Sequence, residues 1–216
     1  MLEFGHYGYP IIIFPSTKGR YHEAKDFYLI DSVAHLIEEG RIKIFCPDSI
    51  DAWSWYNRSI HPADRVKNHM WYDRMIVEEV IGKIEDAHGP TKVAVGGCSF
   101  GGYHASNFAF RHPYKVSHLI CMSAAFNIKD QMDGYYDENV YLNNPEDFVP
   151  KMDHPDLYHM KIVLGTAEHD ICKDQNYNMS KILHQKGVDH WLDERPGAVH
   201  DWVVWRQMFP DYAALI

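Results

Sequence analysis

Short runs of apolar, mostly β-branched residues recur along the chain, and polar or glycine- and proline-containing stretches separate them. Each run is too short for a helix, and such runs are typical of strands buried inside a sheet. The first of them lies between Pro10 and Pro15. The predicted strands are Ile11–Phe14, Ile42–Cys46, Val93–Val95 leading into two glycines, His118–Ser123, Met160–Thr166 and His190–Asp193.

Between these runs the apolar residues return every three or four positions, which indicates amphipathic helices. The clearest case is Met70–Ile84, and His88-Gly89-Pro90 is placed to end it. Two stretches have no period: residues 49–68 are predicted to form a long loop, and residues 124–158 contain three prolines. The predicted helices are Phe27–Glu39, Met70–Ile84, Tyr103 to about Arg111, Tyr177–Lys186 and His200–Phe209.

Strands and helices alternate at least four times, which predicts an α/β protein with a mostly parallel, doubly wound sheet flanked by helices. At 216 residues the chain is long enough for one substantial core, so one domain over residues 1–216 is expected. A stretch without periodicity as long as 124–158 is usually functional in a compact domain, and we interpret it as a cap-like insertion over a site.

Composition and charge narrow the classes of partner. The 21 basic and 30 acidic residues give a net charge of −9, so the surface should repel polyanions, and no nucleic-acid partner is expected. No apolar run is long enough to span a bilayer, and the first residues lack the pattern of a signal peptide, so no membrane association is expected. The four cysteines are widely spaced without a CxxC pair, which fits free thiols and a cytoplasmic location.

The most informative stretch follows the third predicted strand. Gly97-Cys98-Ser99-Phe100-Gly101 fits the G-x-S-x-G pattern, in which a sharp turn between a strand and a helix exposes a serine hydroxyl at the carboxyl end of the sheet. Glycines are needed on both sides because a side chain there would collide with the neighbouring strand and helix. The context of strand, turn and helix therefore predicts that Ser99 is a nucleophile.

A serine hydroxyl needs a base to accept its proton and a carboxylate to orient that base. In proteins with this turn the acid and then the histidine follow the serine along the chain. Asp170 follows the strand ending near Thr166, and His200 lies between the last strand and the last helix. Glu168 is the alternative acid, but Asp170 has the favoured position beyond the strand. His104, within a predicted helix, is interpreted as structural.

The reaction also needs two N–H groups that bind the negatively charged oxygen of the intermediate, the oxyanion. One should come from Phe100, directly after the nucleophile, and the other from the loop after the first buried strand. Pro15 has no N–H, so Ser16 and Thr17 are the candidates, and the sequence does not choose between them. The remaining histidines show no metal-ligand spacing, so neither a metal nor a cofactor is expected.

Several of these stretches resemble a known family. Gly-Gly-Cys-Ser-Phe-Gly-Gly-Tyr-His-Ala, the spacing from Gly165-Thr166 to Asp170, and His-Asp-Trp-Val-Val-Trp-Arg from His200 are similar to the esterase group of α/β-hydrolases that includes esterase D, feruloyl esterases, enterochelin esterases and mycolyltransferases. The resemblance implies an α/β-hydrolase fold and assigns Ser99 as nucleophile, Asp170 as acid and His200 as base. Only about ten residues precede Ile11, so the sheet should be trimmed at its N-terminal side.

The predicted function is hydrolysis of a small-molecule carboxylic ester through an acyl-enzyme. An acyltransferase would use the same three residues and admit an alcohol or amine in place of water. A non-catalytic protein of the same fold that binds a ligand or partner is the alternative from another class. Aromatic residues in the two unpatterned stretches are candidates for the substrate pocket, and homo-oligomerisation is left open. The candidate pocket residues are Trp55, Phe126, Tyr135 and Tyr136.

Overall fold

A computed structural model describes all residues from 1 to 216 and contains one seven-stranded sheet. The strands are ordered β1-β3-β2-β4-β5-β6-β7, with β1 antiparallel to β3 and all other neighbours parallel. This confirms the predicted α/β class with a mostly parallel sheet. The strands are β1 (Leu2–Phe4), β2 (Tyr9–Phe14), β3 (Ile42–Cys46), β4 (Val93–Cys98), β5 (Val116–Met122), β6 (Lys161–His169) and β7 (Trp191–Val199).

Helices cover both faces of this sheet. The α-helices are α1 (Glu23–Asp26), α2 (Ala34–Glu38), α3 (Pro62–Met75), α4 (Gly82–His88), α5 (Phe100–Arg111), α6 (Glu138–Tyr141), α7 (Pro145–Phe148), α8 (Lys173–Gln185) and α9 (Trp202–Ala213). A π-helical stretch, Ile76–Ile81, joins α3 to α4. The segment between β5 and β6, which holds the predicted cap, folds as α6, α7 and three short 3₁₀ turns. No helix has the length and apolar character needed to cross a membrane.

The alternation of side chains along β2 builds two hydrophobic cores. Ile12 and Phe14 pack into a cluster of 29 buried residues that includes residues of α5 and α8. Ile11 and Ile13 point to the opposite face and join 22 buried residues that include residues of α9. Because successive side chains of a strand face opposite sides, the apolar run predicted as a buried strand supplies both cores.

Two local predictions need correction, and the structure adds one strand. Residues 49–68 are not all loop, because α3 begins at Pro62, with His61 Nδ1 accepting the Ala63 N–H at 3.2 Å. This helix buries polar residues such as Arg65, whose guanidinium donates to three carbonyl groups, so no apolar period marks its first turns. The added strand is β1, which is too short to be recognised in a pattern.

The predicted helix 27–39 is broken at Tyr28, which has φ +60°. The chain closes α1 with a Schellman motif: the Tyr28 N–H donates to the Lys25 carbonyl, and the Leu29 N–H donates to the Ala24 carbonyl. Glycine usually occupies the left-handed position of this motif, so a tyrosine there gives no sequence signal. A 3₁₀ turn at Asp31–Val33 and then α2 follow.

The two edges of the sheet differ in length and chemistry. At one edge, β1 has only three residues. At the other, β7 has nine residues, pairs with β6 alone, and contains Pro196 and a run of charged residues from Asp193 to Arg195.

Candidate active site

Ser99 lies at the sharp junction between β4 and α5, at the carboxyl end of the sheet. Its backbone has φ +56° and ψ −119°, a strained conformation for a residue with a side chain. The turn closes so tightly that a Cβ atom on Gly97 would lie 2.4 Å from the Gly101 carbonyl carbon, and one on Gly101 would lie 2.4 Å from the Phe14 oxygen. The glycines of the G-x-S-x-G pattern are thus required by backbone contacts, and Ser99 itself is half-buried.

Two more of the predicted residues contact each other at this edge. His200 directly follows β7, and its Nε2 lies 2.9 Å from the Ser99 Oγ. Its Nδ1 lies 2.7 Å from Asp170 Oδ1, and Asp170 directly follows β6. The carboxyl ends of three parallel strands therefore bring a hydroxyl, an imidazole and a carboxylate into one hydrogen-bonded chain.

The Asp170 carboxylate is held by two hydrogen bonds, both to Oδ1. Its Oδ1 also accepts the Cys172 N–H at 2.7 Å. Burial alone would raise the pKa of Asp170, but its hydrogen bonds with His200 and the Cys172 N–H, together with the nearby Ser123 hydroxyl, outweigh it and lower the pKa. The Ser123 hydroxyl in turn accepts the Trp205 indole N–H at 2.9 Å. These contacts favour an ionised carboxylate that faces the imidazole.

Glu168, the alternative acid, has a different partner. Its side chain is exposed, and Oε2 accepts the Gly197 N–H at 2.7 Å. Glu168 thereby ties β6 to the end of β7, three residues before His200, while the hydrogen bond to the imidazole goes to Asp170. The geometry separates the two carboxylates that the sequence placed in the same loop.

The loop after β2 presents three consecutive N–H groups beside the turn. The Ser16 N–H donates to Glu23 Oε2 at 2.7 Å, and the Lys18 N–H donates to Asp51 Oδ2 at 3.0 Å. Between them, the exposed Thr17 N–H has no acceptor in the protein. The prediction of Ser16 as an oxyanion donor is therefore corrected, because its N–H already donates to Glu23. Thr17 is the remaining candidate in this loop.

The other candidate donor, the Phe100 N–H, opens α5. The first N–H groups of a helix have no acceptor within the helix, and they carry the positive end of its dipole. The close approach of Gly101 to the Phe14 and Pro15 carbonyl oxygens brings the start of α5 against the loop that holds Thr17. The Phe100 and Thr17 N–H groups thus belong to two segments that pack against each other beside the turn.

Two of the four predicted pocket residues lie in the interior of the protein. Trp55 and Phe126 are fully buried. Trp55 packs against His69 and Tyr103, and Phe126 lies in the larger core. Because neither side chain has exposed surface, neither lines an open pocket in this structure, which corrects both assignments. Tyr135 and Tyr136 lie in the insertion, and their hydroxyls bond to Asp137 and Asp147 of the same segment.

Tyr56, next to Trp55 in the chain, is only partly buried and packs against the first residue of α5. The Tyr56 ring packs edge-on against Phe100 with ring centroids 5.1 Å apart, and the Lys18 ammonium lies 5.1 Å from its centre. Burial raises the pKa of Tyr56, and the nearby Thr17 side chain opposes this rise in part. Both rings of this aromatic pair in the loop after β3 pack against the same cluster with Phe100 and Tyr103, Trp55 fully buried and Tyr56 partly buried.

One group of residues has the composition of a metal site. Ligand atoms of Asp170, Cys172 and His200 lie within 4.8 Å of one another. Two of these residues already bond to each other, and burial raises the pKa of the Cys172 thiol to about 12, which disfavours the thiolate that binds metals. The donor set is thus suited to proton transfer from Ser99 rather than to coordination.

Comparisons with known proteins agree with this architecture. A family model described as the α/β hydrolase fold matches residues 29–194. No curated protein matches the chain in sequence. Among solved structures, a ferulic acid esterase superposes with a TM-score of 0.75 at 19% identity, covering 98% of this chain and 87% of that one. An S-formylglutathione hydrolase from Staphylococcus aureus gives 0.74 at 16% identity, covering 97% and 84%.

Proposed function

Because the chain belongs to the α/β hydrolase fold family, we propose that it is a serine esterase in which Ser99 is the nucleophile, His200 the base and Asp170 the acid. The observation that carries the proposal is the continuous hydrogen-bonded chain of 2.9 Å from Ser99 Oγ to His200 Nε2 and 2.7 Å from His200 Nδ1 to Asp170 Oδ1. A buried carboxylate that fixes the tautomer of an imidazole makes Nε2 the acceptor for the serine proton.

The proposed reaction follows from these contacts. His200 Nε2 takes the hydroxyl proton while Ser99 Oγ attacks the carbonyl carbon of the ester, and the Phe100 and Thr17 N–H groups bind the resulting oxyanion. The carbon–oxygen bond to the alcohol then breaks, and the imidazolium returns the proton to the departing oxygen. Water attacks the acyl-enzyme with the same proton transfers, which releases the acid and restores Ser99.

The substrate we propose is a small-molecule carboxylic ester, and the chemistry uses protein groups alone, without metal or cofactor. The similarity to a ferulic acid esterase and to an S-formylglutathione hydrolase suggests aromatic acyl esters and small acyl thioesters as the first compounds to assay. The four cysteines are buried free thiols, which supports a reducing, cytoplasmic setting for the reaction.

Labelling with a fluorophosphonate probe tests the proposal directly, since the probe reacts with an activated serine. We expect wild type to be labelled and to hydrolyse p-nitrophenyl acetate, and Ser99→Ala to lose both properties. Labelling that persists in Ser99→Ala would refute the assignment of the nucleophile. A folded wild-type protein that is neither labelled nor active would favour the non-catalytic alternative, and ester exchange into added alcohol without hydrolysis would favour the acyltransferase.

A further inference from the structure

The loop Pro15–Lys18, here called the donor loop, is held by two carboxylates from different parts of the chain. Glu23, in α1, accepts the Ser16 N–H at 2.7 Å and the Ser16 hydroxyl at 2.8 Å. Asp51, after β3, accepts the Lys18 N–H at 3.0 Å. The amides on both sides of Thr17 are thus fixed, and the Thr17 N–H between them has no acceptor in the protein. Only one N–H of the loop is left for a ligand.

Asp51 also connects the donor loop to the helix that carries the nucleophile. Its side chain is completely buried, and Oδ1 lies 2.8 Å from Nε2 of His104, itself buried in the second turn of α5. The His104 ring stacks on Phe14, directly before the donor loop, with centroids 6.0 Å apart. A buried carboxylate costs free energy unless its partners satisfy it, so these contacts hold the carboxylate in one position.

Glu23 is partly buried beside the same loop. Burial raises the pKa of Glu23, although the Ser16 N–H and hydroxyl both donate to it. Gly19 follows the donor loop, and a Cβ atom there would lie 2.5 Å from Glu23 Oε2, so the chain wraps closely around the carboxyl group. The contact is therefore part of the packed loop and is not a surface ion pair.

Electrostatic attraction to the oxyanion does not explain why two acidic side chains bind the donor loop. In the proposed function an oxyanion develops beside the Thr17 N–H, and nearby carboxylates repel it. Two carboxylates bound to the flanking amides can assist only through geometry, by fixing the direction of the N–H between them. Misplacement of a positioned group by about 1 Å can cost about 10²-fold in rate.

We propose that Asp51 and Glu23 are positioning residues that aim the Thr17 N–H at the oxyanion, with His104 holding Asp51 in place. The inference rests on the proposed esterase function and extends it to residues that do not touch the substrate. Neutral side chains that keep an acceptor oxygen should then preserve kcat at both positions. Side chains without an acceptor oxygen should lower it.

The test compares Asp51→Ala and Glu23→Ala with Asp51→Asn and Glu23→Gln in the full-length protein. We measure kcat and KM for p-nitrophenyl acetate, the inhibition constant of a phenylboronic acid, which forms a tetrahedral adduct with the serine, and thermal stability. Both alanine variants should lower kcat about 10²-fold and weaken the boronic acid similarly, with KM within about threefold. The amide variants should restore kcat to within about fivefold of wild type.

Asp48→Ala is the matched control, because Asp48 lies in the same loop as Asp51 and also accepts backbone N–H groups, those of Tyr21 and Ser49. It should leave kcat unchanged. If Asp51→Ala and Glu23→Ala lower kcat no more than Asp48→Ala, or if the amide variants are as slow as the alanine variants, the inference is wrong. Should Asp51→Ala fail to fold, Glu23→Ala and the amide variants decide by the same criteria. Failure of the esterase proposal would give a different result, because Ser99→Ala would then hydrolyse p-nitrophenyl acetate as fast as wild type.

Discussion

Substitution of Gly101 by alanine probes the contact between the turn and the donor loop. A Cβ atom at this position would lie 2.4 Å from the Phe14 oxygen and 2.7 Å from the Pro15 oxygen, whereas ordinary contacts begin at 3.4 Å. Both obstacles are backbone atoms, so either α5 or the start of the donor loop must move by about 1 Å. We expect such a shift to lower kcat about 10²-fold because the N–H donors no longer meet the oxyanion.

The same overlap should destabilise the fold. Overpacking typically costs about 1–3 kcal/mol, and the gain of up to about 1 kcal/mol from replacing glycine by alanine in a helix offsets part of it. Gly82→Ala is the matched control, because Gly82 lies at the start of α4 and a Cβ atom there meets nothing within 4 Å. It should keep wild-type kcat and be unchanged or slightly more stable.

The assay is steady-state hydrolysis of p-nitrophenyl acetate together with urea denaturation of both variants. A loss of kcat in Gly101→Ala at temperatures where the protein is fully folded separates displacement from unfolding. If Gly101→Ala is folded and keeps kcat within about threefold of wild type, the close packing of the turn against the donor loop does not set the geometry of the site.

Three further predictions concern the acid and the buried tryptophan. Asp170→Asn should lose about 10⁴ in kcat and Glu168→Gln less than about tenfold, and the opposite ranking would make Glu168 the acid. The lowered pKa of Asp170 means that its ionised form stabilises the fold above the unfolded value of about 3.9, and that this contribution is lost as pH falls through the folded value. Urea denaturation below about pH 4 should therefore show a steeper loss in wild type than in Asp170→Asn, and equal slopes would contradict this. Trp55→Ala should cost about 3–5 kcal/mol without changing the ranking of ester substrates, and a changed ranking would return Trp55 to the pocket.

The elements that the sequence predicted correctly are those with a strong local signal. The apolar run at Ile11–Phe14 and the strand before Ser99 are buried strands because nothing polar interrupts them. The chain order of Ser99, Asp170 and His200 indicated that they would meet, because the carboxyl ends of parallel strands lie at one edge of the sheet. The start of α3 was missed because its buried face carries Arg65, whose guanidinium donates to the carbonyl groups of Asn57, Ile60 and Gln131.

Contacts that depend on tertiary packing could not be read from the sequence. Ser16 and Thr17 are adjacent and chemically alike, and only the position of Glu23 decides which N–H is free. Trp55 and Tyr56 are neighbours in one irregular stretch, and the sequence carries no period that tells which ring faces inward. For both neighbouring pairs, a contact with another element of the fold decides which residue is bonded or buried and which is free.

The edges of the sheet have a consequence for behaviour at high concentration. An unpaired edge strand offers its N–H and C=O groups to a second molecule, which can start aggregation. Here β1 is too short to be a good template, and in β7 Pro196 removes one donor while the charged residues from Asp193 to Arg195 discourage a matching strand. Self-association by strand addition is therefore disfavoured at both ends, and a homo-oligomer would have to form through helices or loops.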